Sequence, residues 1–382
     1  MSHPTYIWKT VTGYDFLISL HAIFTPDKFD LRPSWAAGVR SRLPTTARDT
    51  LERAVYNLPV PFRWFETLPD PLDSATVLDA LAALPPEDRY PAIAFSNYDE
   101  HPILDLIREI AAQGGQWTPD HVRRLQDITQ RETGNRARSR EVNHYLENVV
   151  PLFVDPVQTG ETLLAGLQAY REVFYAEEEQ RILPALQRRV AEASARAAEL
   201  TLAELVEELS QGLRFDFTDL SQREEILFIP SYWTTPLIIY RDLGPRWALV
   251  FGARPATESL VPGESVPDQL YSTLKALADP TRLRILRYLT SSPHTPAQLA
   301  RKLRLRAPTI THHLHDLRRA GLVQLTLKAG NERHYAARVE RLDEMFGWLT
   351  EFVQQGDDAV TQLDEHDPDA KVDQTTPRVQ TP

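Results

Sequence analysis

The chain has 382 residues, room for two or three domains at roughly 150 residues each, and its 42% hydrophobic and 25% charged residues are those of a folded globular protein. It holds no cysteine, which excludes disulfides, thiolate nucleophiles, iron–sulfur clusters and cysteine-based zinc sites. A formal charge of −11 argues against a nucleic-acid partner unless the charge is unevenly placed.

Met1–Phe24 has no basic leader and its apolar stretch is interrupted by Asp15 and His21, so it does not read as a signal peptide. Short amphipathic helices are predicted at Asp15–Ile23, Ala47–Leu58, Asp73–Leu84, Pro102–Ala112, Pro119–Arg131 and Arg140–Val149. Steps such as Thr118-Pro119 supply a capped first turn. A longer helix is expected from Glu161 to about Leu200, kinked at Pro184, with Tyr170, Val173 and Phe174 on its core side. Glu177-Glu178-Glu179 reads as a solvated face rather than a cation site.

The texture then changes to short β-prone runs, Ile226–Ile229, Leu237–Tyr240 and Trp247–Phe251, expected as a small antiparallel sheet. The longest uncharged run, Ile226–Tyr240, has 15 residues and two prolines, too short and broken to span a bilayer, and a cytoplasmic protein is expected. Phe228, Tyr232, Trp233, Tyr240 and Trp247 are candidates to line a ligand pocket, against the plainer reading that aromatics on a small sheet are core. Pro255–Pro267 is rich in turn residues and reads as a linker.

Residues 267–341 carry fourteen Lys and Arg against five acids, a net +9, and the rest of the chain carries 28 bases against 48 acids, −20. A basic segment of this kind is a plausible phosphate-facing surface. Its pattern is more specific than its charge. Gln269–Ala278 is a short amphipathic helix, and Asp279-Pro280-Thr281 caps and restarts the chain ahead of Leu283, Ile285, Leu286 and Leu289. Thr295-Pro296 opens a third helix, and Pro308 a fourth that runs to Ala320 with Ile310, Leu314 and Leu317 apolar, stopped by Gly321. Two β-prone runs, Leu322–Leu327 and Arg333–Ala337, flank the hairpin turn Lys328-Ala329-Gly330-Asn331. This order is a winged helix-turn-helix. From Gly356 to Pro382 almost nothing is apolar, and a disordered tail is expected.

Leu277-Ala278-Asp279-Pro280-Thr281-Arg282-Leu283-Arg284-Ile285-Leu286 resembles the opening signature of ArsR-type transcriptional regulators. Thr309-Ile310-Thr311-His312-His313-Leu314-His315-Asp316-Leu317 resembles that family's recognition helix, and Ala320-Gly321-Leu322-Val323 with the wing ending at Tyr335 extends the likeness over about residues 268–340. Thr309, Thr311, His312 and His315 lie near one exposed side of the fourth helix, where side chains reach base edges in a major groove. The resemblance adds Pro308 at the forward end, and sets Arg306 where the family often has a small capping hydroxyl, which frees it for phosphate. Arg301, Lys302, Arg318 and Arg319 are expected on the DNA backbone, and Lys328 and Arg333 on the neighbouring groove.

His312, His313 and His315 do not converge as an i, i+4 pair does, and the family's thiolate and paired carboxylate–histidine sensor motifs are missing, so no metal site is assigned. Leu342, Met345, Phe346, Leu349, Phe352 and Val353 form a helical stripe. The resemblance implies that it joins the first helix, through Leu270 and Leu274, in a two-fold dimer interface. Asp15-Phe16-Leu17-Ile18-Ser19-Leu20 and Pro33-Ser34-Trp35 more faintly resemble the helical, functionally undefined region that precedes such heads in some larger bacterial regulators. No phosphate loop, HExxH or nucleophile elbow occurs, so no catalytic residue and no cofactor is assigned.

The expected fold is mainly α (α+β). A helical regulatory or dimerisation domain with a small sheet (1–254) leads through a linker (255–267) to a winged helix-turn-helix domain with a C-terminal dimerisation helix (268–355) and a tail (356–382). The expected function is a sequence-specific DNA-binding regulator, a dimeric repressor on a pseudo-palindromic operator of double-stranded DNA, controlled by a small-molecule or protein effector of the first domain and not membrane-bound. A winged-helix protein-interaction module and an enzyme fused to a DNA-binding head are the alternatives.

Overall fold

The computed structural model describes residues 4–29, 31–97, 101–133, 137–215, 220–235, 238–262, 264, 266–328 and 332–354. Strand β1 (Thr5–Trp8) leads into α1 (Gly13–Phe24), α2 (Pro33–Ser41), α3 (Thr45–Tyr56), α4 (Phe62–Phe65), α5 (Ser74–Ala83) and α6 (Pro86–Ala94). There follow α7 (Pro102–Ala112), α8 (Pro119–Thr133), α9 (Ser139–Val149), α10 (Pro151–Val154) and α11 (Pro156–Tyr170). A π turn at Arg171–Tyr175 joins α11 to α12 (Ala176–Arg196). Next come α13 (Leu202–Leu209), β2 (Leu213–Phe215), a single helical turn at Leu220–Gln222, β3 (Glu225–Ser231), β4 (Ile239–Asp242) and β5 (Arg246–Gly252). The head comprises α14 (Asp268–Leu277), α15 (Pro280–Leu289), α16 (Pro296–Leu303), α17 (Ala307–Arg319), β6 (Val323–Lys328), β7 (Glu332–Ala337) and α18 (Glu340–Gln354). The fold is thus mainly α, with a C-terminal winged helix.

Side-chain caps set several helix starts. Asp73 accepts from Thr76 N (2.8 Å) and Asp155 from Gln158 N (3.0 Å), while Thr201 and Glu204 form a reciprocal capping box on α13. The long helix departs from α geometry at the π turn rather than at Pro184, which lies inside α12. A wider turn brings residues five apart toward one side. Tyr170 and Tyr175 are accordingly both fully buried, with ring centroids 5.9 and 5.0 Å from that of Phe16.

The sheet of the body is a correction to the antiparallel one expected. Its order is β1-β3-β5-β4, with β1–β3 and β3–β5 parallel and only β4–β5 antiparallel. The physical reason is legible in β3 and β5. Their apolar runs are continuous rather than alternating, as in strands covered on both faces. Leu227, Ile229, Ala248 and Val250 face the large helical core, and Ile226, Phe228, Trp247, Leu249 and Phe251 face a second core built with Leu205, Val206 and Leu209 of α13. The buried Asp15 ties α1 to the end of β3, accepting from Tyr232 N (3.0 Å), Trp233 N (3.1 Å) and the Ser231 hydroxyl. Burial raises its carboxyl to about 7 against the pull of those three hydrogen bonds.

The candidate ligand pocket around the sheet is corrected, and the plainer reading of these aromatics as core holds. Phe228, Tyr232, Trp233 and Trp247 are at most 2% exposed and belong to the two cores, with Trp8 stacked on Phe228 at 4.5 Å. Tyr240 is 41% exposed and covers Trp247 from outside, so the group encloses no cavity. Within the 255–267 stretch Leu260 is buried in the large core of the body and Val261 packs against it. Asp268 accepts there from Leu260 N (2.6 Å) and Ser259 Oγ (2.9 Å), and pairs with the buried Arg254 at 2.8 Å. The expected tail, and Ala329-Gly330-Asn331 of the wing turn, lie outside the described residues.

Helices α11 and α6 meet at Gly160, where an added Cβ would stand 1.7 Å from Pro86 O. Gly160→Ala is expected to lower stability by about 3 kcal/mol. Gly38→Ala, on α2 with open space around it, is expected to raise stability by about 0.5 kcal/mol. Urea midpoints of the two variants check both; equal midpoints would contradict the close approach.

Candidate nucleic-acid interface

In the head, Thr295 and Gln298 form a capping box on α16, with Thr295 N donating to Gln298 Oε1 at 2.8 Å. The helix ends on Arg304, which adopts the left-handed conformation (φ 55°) without a glycine, and the chain re-enters helix at α17. Arg306 stands at the N-cap of α17 and makes no side-chain cap, leaving its guanidinium exposed. Gly321, at φ 71°, turns the chain out of α17 toward β6.

Ile310, Leu314 and Leu317 are fully buried against α15 and α16 residues of the head core. That anchoring leaves Pro308, Thr309, Thr311, His312 and His315 exposed along α17. Thr311 donates back to Ala307 O (3.0 Å), which fixes its rotamer. His312 is 74% exposed, with Nε2 3.8 Å from Asp316, and Asp316 in turn accepts from Arg282. Arg301, Lys302 and Arg333 are exposed, as are Arg284, Arg287 and Arg304, which the sequence reading did not single out. Lys302 Nζ lies 5.2 Å above the Tyr288 ring. Lys328 is half-buried at the wing.

Two of the arginines expected on DNA have other work. Arg318 donates to Gln211 O and to Ser210 O, each at 2.6 Å, at the C-terminal end of α13, and Arg338 adds a bond to Gln211 O at 2.9 Å. Burial, and then the neighbouring Arg338, pull the Arg318 pKa down to about 10, so it remains a cation at neutral pH. Arg319 is 9% exposed and donates to Asp27 O at 3.3 Å, in the body's Pro26–Phe29 turn. The physical reason is that both follow the last apolar position of α17, where the helix turns its side chains back to the body. The exposed ends of helix carbonyl ladders attract cations.

The same contact brings Asp27 and Lys28 beside the recognition helix. With His312, His313, His315 and Lys275 they line a cavity of about 590 Å³. Sequence offered no sign of this, because the two segments are almost 300 residues apart. Among the described residues no group of three or more His, Cys, Asp or Glu is arranged to hold a metal.

The dimer stripe divides. Leu270 and Met345 are buried within the protomer (2% and 1% exposed), and Leu342 packs on the head core. These three are corrected to packing within the protomer, where Leu270 and Met345 are buried, Leu342 lies against the head core, and α14 and α18 contact each other. Leu274, Leu349 and Phe352 are half-buried, while Phe346 (56%), Val353 (70%) and Tyr271 (54%) are exposed.

The chain matches the helix-turn-helix domain family over residues 277–326. The transcriptional repressor SdpR of Bacillus subtilis is 30% identical over 86 residues, covering 22% of this chain and 94% of SdpR. The HTH-type transcriptional regulator CmtR of Mycobacterium tuberculosis is 40% identical over 79 residues, 21% of this chain and 66% of CmtR. Among solved structures, an ArsR-like transcriptional regulator from Rhodococcus sp. RHA1 is 29% identical with a TM-score of 0.21, covering 25% of this chain and 91% of that one.

Arg318→Met removes two bonds to carbonyls that have few other donors. It is expected to lower stability by about 2 kcal/mol and to speed amide exchange at Leu325, whose N–H donates to Gly212 O. The slope of DNA affinity against salt should not change. A slope shallower by about 1 would put Arg318 on a phosphate instead.

Proposed function

The chain belongs, through its head, to the ArsR-type winged helix-turn-helix transcriptional regulators and is a DNA-binding regulator, and from that premise we propose that it is a dimeric repressor controlled through its helical body. The observation that carries this reading is the face of α17, where Pro308, Thr309, Thr311, His312 and His315 stand exposed over a buried Ile310, Leu314 and Leu317. Such a face enters a major groove with side chains at base edges.

Arg301, Lys302 and Arg306, all exposed at the α16–α17 turn, serve the phosphates on one side, and Arg333 with Lys328 serves the wing. Arg318, Arg319 and Arg338 instead transmit the position of the body to the head. The repressor assignment is supported by the name of SdpR. A two-fold assembly is supported by the exposed Phe346 and Val353 beside the half-buried Leu349 and Phe352 on α18. Two heads so joined would read half-sites about 34 Å apart. Among the described residues no helix is long and apolar enough to cross a membrane.

The reading is tested with genomic fragments selected by the purified protein, starting with its own promoter. Thr311→Ala or His312→Ala is expected to relax preference at single base positions by about 1–3 kcal/mol, and Arg301→Ala to weaken all sequences alike. Phe346→Glu is expected to convert a sedimenting dimer to monomer and to lose cooperative occupancy of the two half-sites. Binding indifferent to salt, or to sequence, would refute the proposal.

A further inference from the structure

The body reaches the recognition helix directly at the Pro26–Phe29 turn, which follows α1. The bond from the buried Arg319 to Asp27 O (3.3 Å) ties this turn to the C-terminal end of α17. Lys28 is thereby set beside the helix. It lines the cavity of about 590 Å³ together with Lys275, near the end of α14, and with His312 and His315 of the α17 face. Both lysines are exposed, and neither makes an ion pair or a side-chain hydrogen bond among the described residues.

The acids of the lining do not hold these two ammonium groups. Asp279 caps α15, accepting from Thr281 N and Arg282 N at 2.8 Å each, and Asp316 accepts from Arg282. Asp27, exposed on the same turn, makes no ion pair with Lys28. An α-helix with its side chains is about 10–12 Å across and the major groove about 12 Å wide. A helix seated there fills the groove, so a cation carried beside it meets the phosphates of the rim rather than base edges. Arg301, Lys302 and Arg306 occupy the forward end of α17, whereas Lys28 and Lys275 share a wall with His312 and His315.

We propose that Lys28 is a DNA-backbone contact supplied by the body, with Lys275 as the head's contribution to the same run of phosphates. The inference rests on α17 reading the major groove and deepens that reading, because the body then holds DNA as well as placing the head. Phosphate contacts fix position and carry no sequence information. A movement of the Pro26–Phe29 turn away from α17 takes Lys28 off the backbone, which lowers affinity and leaves the bases read unchanged.

The chain has no cysteine, so Lys28→Cys in the full-length protein places a single thiol on the turn. On the DNA fragment selected by wild type, Lys28→Cys and Lys28→Gln are expected to bind about fivefold more weakly, all sequences alike, with a slope of affinity against salt shallower by about 1. Alkylation of Lys28→Cys with bromoethylamine, which restores an ammonium on a side chain of lysine's length, should return both affinity and slope. Wild type treated alike is the blank. Arg188→Gln, an exposed position of α12 outside the cavity lining, should leave the slope unchanged and controls for net charge. An unchanged slope in the Lys28 variants overturns the proposal, as does a loss that alkylation fails to restore or an equal loss in Arg188→Gln. Arg301→Ala on the same fragment separates the two ideas. A slope that responds to Arg301→Ala but not to the Lys28 variants removes the body contact and leaves α17 in the groove. Wild-type binding indifferent to salt and sequence removes the reading of α17 and the contact with it.

Discussion

Two guanidinium groups of the head close the carbonyl end of a body helix and tie the orientation of α17 to it. The last carbonyls of a helix have no partner within it. Ser210 and Gln211 find theirs in Arg318 and Arg338. Gln211 (φ 54°) and Gly212 (φ 95°) then swing the chain into β2, which completes the wing sheet. Arg318 sits on the same helix as Thr311 and His312. The orientation of the recognition helix is therefore referred to α13 rather than to a flexible tether.

This arrangement changes the meaning of the charge. The head has its excess of bases, but Arg318, Arg319 and Arg338 are spent on the interior of the molecule. What remains outside lies mainly on α15, around the α16–α17 turn and on the wing, where Arg284, Arg287, Arg301, Lys302, Arg304, Arg306 and Arg333 are exposed. The acidic remainder of the chain repels phosphate, which disfavours nucleic-acid contacts away from the exposed bases. A high net negative charge and a DNA-binding head are compatible because the two are segregated.

The body supplies a stiff reference for this joint. A sheet covered on both faces, with β1 paired to β3 across more than 200 residues of sequence, couples the start of the chain to the strands before the head. Asp15 adds three hydrogen bonds to the end of β3, and Arg254 with Asp268 pins the first residue of α14.

Local chemistry made the head readable from sequence. Asp279-Pro280, Thr295-Pro296 and Gly321 are caps and stops that act over three or four residues, and Ile310, Leu314 and Leu317 mark one helical face by spacing alone. Those signals determined the winged helix-turn-helix and the exposed face of α17. They also marked most helices of the body. Tertiary structure alone decided the parallel sheet, the addition of β2 to the wing and the burial of seven candidate residues, Arg319, Leu270, Met345, Phe228, Tyr232, Trp233 and Trp247. The reason is that a periodic pattern says which side of an element is apolar, or where a cation stands, but not what arrives opposite it. That depends on contacts between segments hundreds of residues apart, whose pairing leaves no mark in either segment.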